Sequence, residues 1–496
     1  MTHRASVTTA VSAPGKVLLT GGYLVLDRDY TGTVFALDAR IHVIVQQLKR
    51  DCGRGSGQTT SSLDTAKETA GGEEQQIRTD EPVENHLEES IVVRSPQFVN
   101  AVWEYGVQRC DDGGGVKVTQ RGDRPRNPFV ETSLNYALTY IGYVAGSKDF
   151  GSLSITILAD NDYYSDTGVS NGPAAQIRGR FRNFGVPLQE AHKTGLGSSA
   201  ALVTALVSAL VIHRTMHPDD LVVARDKLHN LAQAAHCAAQ GKVGSGFDVG
   251  AAIYGSCLYR RFSPSILNKV GDVGMPGFEE RLFSTVEDLD SEHPWDTECV
   301  DFGMRLPPGM QMVLCDVDCG SQTPSMIKKV LEWRNQNREE ADMLWGSLQE
   351  NNEKLRHELQ RLGHSRGALE NEAEAEEVYK NVRILIQRTR EYLRTMTQKT
   401  GVPIEPRVQT ELLDTVSEVE GVIGGVVPGA GGYDAIVLLI RDDIEVVNRL
   451  NKLFETYKSK VEDDFGGKIE RVKMLGVRHG SEGVRNEAPE QYFGWI

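Results

Sequence analysis

The segment 193–201 combines the features of a phosphate-binding loop. It leads directly into an apolar helical pattern that extends to Thr215. The segment consists of Lys193, Thr194, Gly195, Leu196, Gly197, Ser198, Ser199, Ala200 and Ala201. Glycines let a ligand approach the backbone, and the free N–H groups at a helix start attract phosphate. A strand-to-helix connection capped by serines has the same local sequence, but the lysine and the paired glycines favour a phosphate cradle. The segment lacks the endings of a P-loop and of a dinucleotide fingerprint.

Three further segments carry residues suited to phosphate chemistry. Lys16 follows Pro14 and Gly15 in a predicted tight turn, just before a Gly-Gly pair. Asp248 lies in the glycine-rich segment 244–250, and a fourth glycine-rich segment spans 428–434. Each also has an ordinary structural explanation: a hairpin with a solvent-exposed lysine, a helix cap and a tight turn.

Taken in order along the chain, the four segments resemble the motifs of the GHMP kinases. The forms A-P-G-K-V-L-L-T-G-G-Y-L-V-L at 13–26, G-S-G-F-D-V at 244–249 and G-A-G-G-Y-D at 429–434 are similar to those of the phosphomevalonate kinases within that superfamily. N-P-F-V-E-T-S-L-N-Y at 127–136 and S-Q-T-P-S at 321–325 add to the likeness. The resemblance implies an α+β fold of two domains. One is an N-terminal β/α domain like ribosomal protein S5, and the other is a C-terminal ferredoxin-like α+β domain with extra helices.

The resemblance also implies which residues form the site. It makes Lys16, Lys193 and Asp248 catalytic and assigns ATP to the cradle at 193–201. A larger set is implied to contact the substrate: Tyr23, Ser245, Gly246, Ser321, Thr323, Gly429, Gly431 and Gly432.

Mg²⁺ is the second implied cofactor, and Ser199 is its implied ligand. Several GHMP kinases hold the ion with a glutamate on the helix before the aspartate turn. No Asp or Glu occurs between Lys227 and Phe247 in this chain, and His236 and Gln240 stand in that region. The metal must therefore depend on the phosphates, a cradle serine and Asp248.

Phosphoryl transfer depends on positioning and charge neutralisation more than on covalent chemistry by the protein. A phosphomonoester acceptor has a second pKa near about 6, so it is already mostly dianionic at neutral pH and hardly requires a base. Lysines then matter more than a base, which favours a phosphorylated acceptor for Lys16 and Lys193. The resemblance implies ATP-dependent phosphorylation of 5-phosphomevalonate in isoprenoid and sterol synthesis as the expected activity. The alternatives are mevalonate kinase, another GHMP small-molecule kinase, diphosphomevalonate decarboxylase, and a catalytically silent sensor of the same fold.

The elements that must position these residues alternate between strand and helix patterns. Strands are expected at 7–11, 33–38, 40–45, 153–158, 312–316, 434–440 and 469–477, and helices at 129–144, 198–215, 219–240 and 444–457. We expect an N-terminal ATP-binding domain at 1–260 and a C-terminal domain at 261–496. A polar, disordered insertion is expected at about 51–89, and a charged helical insertion at about 325–400.

The composition limits the partners of the chain. Its 496 residues carry a net charge of −15, which argues against nucleic acid or an anionic membrane as a general partner. Seven cysteines without paired metal spacing fit a reducing compartment. The expectations are a cytoplasmic enzyme, monomeric or homodimeric, that acts on small molecules.

Overall fold

The computed structural model describes residues 8–48, 89–146, 149–165, 177–300, 306–319, 326–364, 372–463 and 466–496. The expected insertion at 51–89 lies, except for Glu89, outside the described residues. So do the predicted substrate residues Ser321 and Thr323.

The described residues form sixteen strands and eleven α-helices, together with short 3₁₀ turns. The strands are β1 (Thr8–Thr20), β2 (Gly32–Gln47), β3 (Ser90–Arg94), β4 (Val102–Arg109), β5 (Val116–Arg121), β6 (Leu153–Ala159), β7 (Ile177–Arg178), β8 (Phe181–Arg182), β9 (Cys257–Arg260), β10 (Glu298–Val300), β11 (Met310–Asp318), β12 (Val422–Val426), β13 (Ala435–Arg441), β14 (Arg471–Met474), β15 (His479–Gly480) and β16 (Arg485–Asn486). The helices are α1 (Pro128–Ala145), α2 (Ser198–Thr215), α3 (Arg225–Gln240), α4 (Phe247–Tyr254), α5 (Ser265–Asn268), α6 (Phe278–Val286), α7 (Met326–Gln336), α8 (Arg338–His364), α9 (Glu372–Thr400), α10 (Arg407–Ser417) and α11 (Ile444–Phe454).

The larger sheet contains ten strands, with the order β10-β9-β2-β6-β3-β4-β5 and with β1, β15 and β16 off this path. Its long strand β2 pairs antiparallel with β1 over most of its length, and with β6 and β9 at its two ends. The helices α1 to α4 pack against one another and the sheet. This arrangement places α2 and α4, which begin within the segments 193–201 and 244–250, beside β1.

The second sheet contains four antiparallel strands in the order β12-β13-β11-β14. The apolar faces of α10 and α11 pack into the core of this sheet through Leu412, Val416 and Leu450. Two mixed layers of sheet and helix confirm the predicted α+β fold class. The last strands, β15 and β16, return to the larger sheet, and the expected division at residue 260 stays a prediction.

The Pro14-Gly15-Lys16 segment does not form the predicted turn. It lies inside the continuous strand β1, where the pairing with β2 shifts register between Pro14 and Lys16. A Cβ on Gly15 would lie 2.9 Å from the Tyr163 Oη and 3.0 Å from the Leu196 carbonyl oxygen. The glycine therefore serves close packing of the strand on the cradle rather than a chain reversal.

The cradle helix has the predicted bounds, 198–215, and is buried on nearly all sides. It is also the one helix among the described residues that is long and apolar enough to cross a membrane, and 67% of it is buried inside the protein. A helix of the core passes the same test of length and composition.

Several predicted elements have different bounds. The strand expected at 7–11 continues to Thr20, and those expected at 33–38 and 40–45 are parts of the single strand β2. The expected helix at 219–240 begins as a separate 3₁₀ turn, Pro218–Leu221, capped by His217, and α3 begins only at Arg225. The final predicted strand shortens to Arg471–Met474, the stretch that pairs with β11.

The charged helices α7 to α9 pack on the turn that follows β1. Arg334 of α7 forms an ion pair with Asp27 at 2.6 Å and stacks 4.0 Å above the Trp345 ring. Gln349 of α8 donates to Thr31 Oγ1 at 2.8 Å and accepts from its backbone N–H. The helices α7 to α9 thus support the chain just after the segment 13–26.

Candidate active site

The cradle presents its backbone at the start of α2. Gly195 and Gly197 have φ values of +75° and +81°, a region that L side chains rarely adopt. Gly197 caps the helix without a side-chain hydrogen bond, so the first N–H groups of α2 face outward as donors. Thr194 anchors the loop to the 160–163 segment, because its hydroxyl donates to the Asp162 carbonyl at 2.5 Å.

Lys16 lies against the cradle. Its backbone N–H donates to the Leu196 carbonyl at 2.9 Å, and its Nζ donates to the Gly195 carbonyl at 3.4 Å. A Cβ on Gly197 would meet Lys16 Cε at 2.7 Å, so only glycine leaves room for the lysine. Desolvation lowers the pKa of Lys16, and the nearby charge of Asp248 acts against that shift.

The third segment holds Asp248 at the first turn of α4. Gly246, the residue before this helix, has φ +82°, and a Cβ there would lie 2.7 Å from the Tyr259 Oη. The Tyr259 hydroxyl donates to the Ser245 carbonyl at 2.6 Å, and Arg261 donates to the Gly244 carbonyl at 2.8 Å. Backbone contacts therefore fix the turn and leave the Asp248 carboxylate partly exposed beside Lys16.

The glycine-rich segment 428–434 packs against the segment 13–26, which contains Lys16. A Cβ on Gly22 would lie 2.1 Å from the Gly429 carbonyl oxygen, and the Gly429 N–H donates to the Leu18 carbonyl at 3.3 Å. The buried Tyr23 donates its hydroxyl to the Ala430 carbonyl at 2.7 Å. Burial raises the pKa of Tyr23. The structure thus uses this hydroxyl to join two segments, and its predicted contact with substrate stays a prediction.

A pocket with aromatic walls opens beside the cradle. It encloses about 600 Å³, including space open to solvent, and its walls include Phe129, Tyr164, Ser199 and Lys193. Lys193 itself is exposed, while its backbone pairs with Tyr164 through an isolated β-bridge. Flat apolar walls next to a phosphate cradle suit a nucleotide, with the base in the pocket and the phosphates toward the helix start.

His236 is a site residue that the sequence analysis left without a role. The side chain is buried on α3, and its Nε2 lies 3.2 Å from Ser199 Oγ and 3.9 Å from Asp248 Oδ2. The missing acid between Lys227 and Phe247 pointed to this region of the chain. Only the packing of α3 against α2 and α4 shows that the histidine lies between two other predicted site residues.

Comparisons with known proteins identify the family of the chain. Residues 177–256 match the model of the GHMP kinases N terminal domain. A phosphomevalonate kinase of Aspergillus fumigatus is 70% identical over 492 residues, which cover 98% of each chain. The chain belongs to the phosphomevalonate kinase family.

A more distant member of the phosphomevalonate kinase family is the peroxisomal enzyme of Arabidopsis thaliana, which is 31% identical over 88% of this chain and 90% of its own length. A crystal structure of the Streptococcus pneumoniae phosphomevalonate kinase, in complex with phosphomevalonate and AMPPNP, matches with a TM-score of 0.54 at 14% identity. That match covers 94% of this chain and 99% of the other, and it confirms the fold.

The residues present fit a magnesium ion. Ser199 Oγ and Asp248 Oδ2 both face His236, at 3.2 Å and 3.9 Å, so two oxygen donors converge beside the cradle. Mg²⁺ prefers oxygen ligands and in kinases usually combines one or two protein groups with phosphates and water. A single carboxylate and a hydroxyl next to a phosphate site satisfy that pattern.

A larger cavity lies on the other side of the 160–163 segment; we call it the arginine pocket. It encloses about 1190 Å³, including space open to solvent, and is lined by Arg40, Arg180, Arg485, Asp160, Asp162 and Glu482, among others. Each of its arginines is already bonded. Arg40 donates to Ser12 Oγ at 2.6 Å, Arg180 to Asp160 at 2.6 Å, and Arg485 to Glu482 at 2.7 Å. These bonds hold the arginines within the fold, and the acidic residues of the lining offset part of their positive charge.

Proposed function

We propose that this protein transfers the γ-phosphoryl group of ATP to the phosphate of 5-phosphomevalonate and so forms 5-diphosphomevalonate. Membership of the phosphomevalonate kinase family supports the proposal. The observation that carries it is the position of Lys16, which lies between the phosphate cradle and Asp248. A positive charge at that position lies where a donor phosphate on α2 and an acceptor phosphate would meet.

Lys16 offsets the repulsion between the two anionic reactants. The acceptor phosphate is mostly deprotonated at neutral pH, so no protein base has to remove a proton from it. Asp248 then serves to hold the Lys16 ammonium in place and charged, because its Coulomb interaction opposes the desolvation that lowers the pKa of that lysine. The cradle N–H groups complete the stabilisation of charge on the transferred group.

The aromatic pocket orients the nucleotide for this transfer. The base would lie among Phe129 and Tyr164, with the phosphates at the Ser198 and Ser199 end of the pocket. Lys193, exposed at the same pocket, would contact the phosphates from the solvent side. Ser199 and Asp248 would hold Mg²⁺, which neutralises charge on the ATP phosphates when it is bound. The contacts assigned to Ser245, Gly246 and the glycines at 429–432 belong to the same proposal.

We further propose that the enzyme supplies the isoprenoid and sterol pathway in the cytoplasm, as a monomer or homodimer that binds neither nucleic acid nor membrane. The net charge of −15 supports the last point. The peroxisomal name of the plant relative makes location a matter for measurement. Fluorescence microscopy of the tagged full chain and light scattering of the purified protein test the location and the oligomeric state.

The decisive experiment is a coupled assay of ADP release. The purified chain receives Mg²⁺, ATP and either 5-phosphomevalonate or mevalonate. We expect turnover with 5-phosphomevalonate and less than about 1% of that rate with mevalonate, because Lys16 and Lys193 favour an acceptor that is already anionic. Preferred turnover of mevalonate would replace this proposal with a mevalonate kinase, and nucleotide binding without ADP release would indicate a silent sensor.

A further inference from the structure

The His236 side chain is held rigidly inside the site. It is 2% exposed and lies near the end of α3, so neighbouring helices restrict its ring. The Phe129 ring of α1 lies 5.7 Å away at an angle of 31°. A buried ring packed against an aromatic side chain has little freedom to rotate, so the direction of its nitrogen is set by the fold.

Three polar groups from three helices face the same ring nitrogen. His236 Nε2 lies 3.2 Å from Ser199 Oγ on α2, 3.2 Å from Gln240 Nε2 on α3, and 3.9 Å from Asp248 Oδ2 on α4. The first two distances are hydrogen-bond distances, whereas the third is too long for a hydrogen bond.

The Gln240 contact decides the role of the ring nitrogen. The Gln240 amide is oriented with its nitrogen toward His236 Nε2, and an amide nitrogen can only donate a hydrogen bond, so in this orientation Nε2 is the acceptor. An unprotonated Nε2 has one lone pair and nothing to donate, so in its contact with Ser199 the hydroxyl is the donor and shares this lone pair with the Gln240 amide. The lone pairs of Ser199 Oγ consequently point away from the histidine.

We propose that His236 is a positioning residue, which turns the Ser199 hydroxyl so that its oxygen lone pairs face a magnesium ion on the ATP phosphates. A metal ligand must direct its lone pairs, and not its proton, at the cation, so an acceptor behind the hydroxyl favours metal binding. The inference rests on the proposed function, since it concerns the same nucleotide site.

A second histidine on α3 provides a matched control. His229 is 1% exposed, and its Nδ1 contacts Asn230 at 3.1 Å, next to the rings of Tyr254 and Trp295. It is as buried as His236 and on the same helix, and within the described part of the chain its hydrogen-bond and ring contacts are with Asn230, Tyr254 and Trp295. A change that merely perturbs α3 would affect the site equally from either position.

The test compares His236→Leu, His236→Gln and His229→Gln in the full chain. Calorimetry measures ADP affinity in excess Mg²⁺ and again in EDTA, and the ratio gives the metal-dependent gain. Since a net hydrogen bond changes an equilibrium by about 3- to 10-fold, we expect His236→Leu to reduce this gain by about that factor with affinity in EDTA unchanged. His236→Gln should restore most of the gain, because its amide oxygen can accept the Ser199 proton. His229→Gln should match the parent chain.

A gain in His236→Leu equal to that of the parent chain would overturn the inference, as would the absence of any gain in the parent chain. If His236→Leu fails to fold, His236→Gln and Gln240→Met decide. Gln240→Met should lower the gain by about 2- to 3-fold, since it removes one of two donors to Nε2. The ADP-release assay is separate: no turnover of 5-phosphomevalonate would reject the proposed function and leave the binding result on His236 valid.

Discussion

The candidate active site around the cradle and the arginine pocket share the 160–163 segment. They differ in what their positively charged side chains contact. The Asp162 carbonyl accepts from Thr194 of the cradle, and the Asp162 side chain lines the arginine pocket. Lys16 in the first region has carbonyl and aromatic neighbours with one carboxylate nearby, and Lys193 is exposed. The arginines of the second region are bonded to carboxylates, a hydroxyl and backbone carbonyls. Among the described residues neither lysine forms an ion pair, which suits a site for an anion, whereas the paired arginines form a structural network.

The largest expected effect falls on stability in the arginine pocket. Arg40→Met removes a buried guanidinium that donates to Ser12 and to the Gly483 carbonyl and lies 4.0 Å from Glu487. Removing one partner of a buried charged pair costs about 3–5 kcal/mol. Urea unfolding measures this loss, and kcat per folded molecule should stay within about twofold. A large loss of kcat in folded protein would show that the arginine pocket takes part in the reaction.

The next effect falls on catalysis. Lys16→Met should lower kcat/KM by about 10²- to 10³-fold, as expected for a group that stabilises charge in the transition state. The ADP-release assay checks this, with Lys227→Met as the control because that lysine forms an ion pair with Glu287 at the surface. The midpoint temperature of thermal unfolding of Lys16→Met should differ little from that of the parent chain. Turnover within twofold of the parent chain would remove Lys16 from the mechanism.

Lys193→Ala should have a smaller effect because this lysine is exposed. The sequence predicts a catalytic role for it, and a contact between a charged group and phosphate contributes about 1.5–3 kcal/mol. We expect a rise of about tenfold or more in KM for ATP or for the acceptor, from initial rates over both concentrations. The surface variant Lys269→Ala serves as control, and unchanged KM values for both substrates would contradict the assignment.

The smallest effect is a pH dependence of stability at His42, a buried histidine next to Asp160 of the arginine pocket. Desolvation lowers the pKa of His42, and Asp160, 3.4 Å from its Nε2, acts against this shift. The unfolded chain binds a proton below about pH 6.5 that the folded chain takes up only at lower pH. Stability should therefore fall as the pH drops below about 6.5, by at most about 1.4 kcal/mol per pH unit for this group.

Urea unfolding between pH 7.5 and 5 measures that slope. Burial also lowers the pKa of His213 and of His229 to about 4, so they add to the dependence in the parent chain. The His42→Gln variant should keep the pH dependence of stability that His213 and His229 contribute and lose the part that His42 contributes. An unchanged slope in this variant would mean that His42 does not distinguish the folded from the unfolded chain.

Sequence reasoning worked best where the cause is local. The bounds of α2 follow from its mostly apolar sequence, and Gly195 and Gly197 adopt the positive φ values that only glycine tolerates easily. It was wrong at Pro14-Gly15-Lys16, where proline and glycine indicate a turn but the segment continues as β1. The reason is tertiary: Gly15 is needed for the close approach of Tyr163 and Leu196, and no local pattern records that contact.

By itself the sequence determined the chemistry available: two lysines, an aspartate and three glycine-rich segments, in which the lack of a side chain permits unusual backbone conformations. The tertiary structure alone decided which of these groups meet. It directed the Tyr23 hydroxyl to the Ala430 carbonyl, and it placed His236 between Ser199 and Asp248. These contacts join residues from different strands and helices. They depend on how those elements pack, which spacing along the chain does not encode.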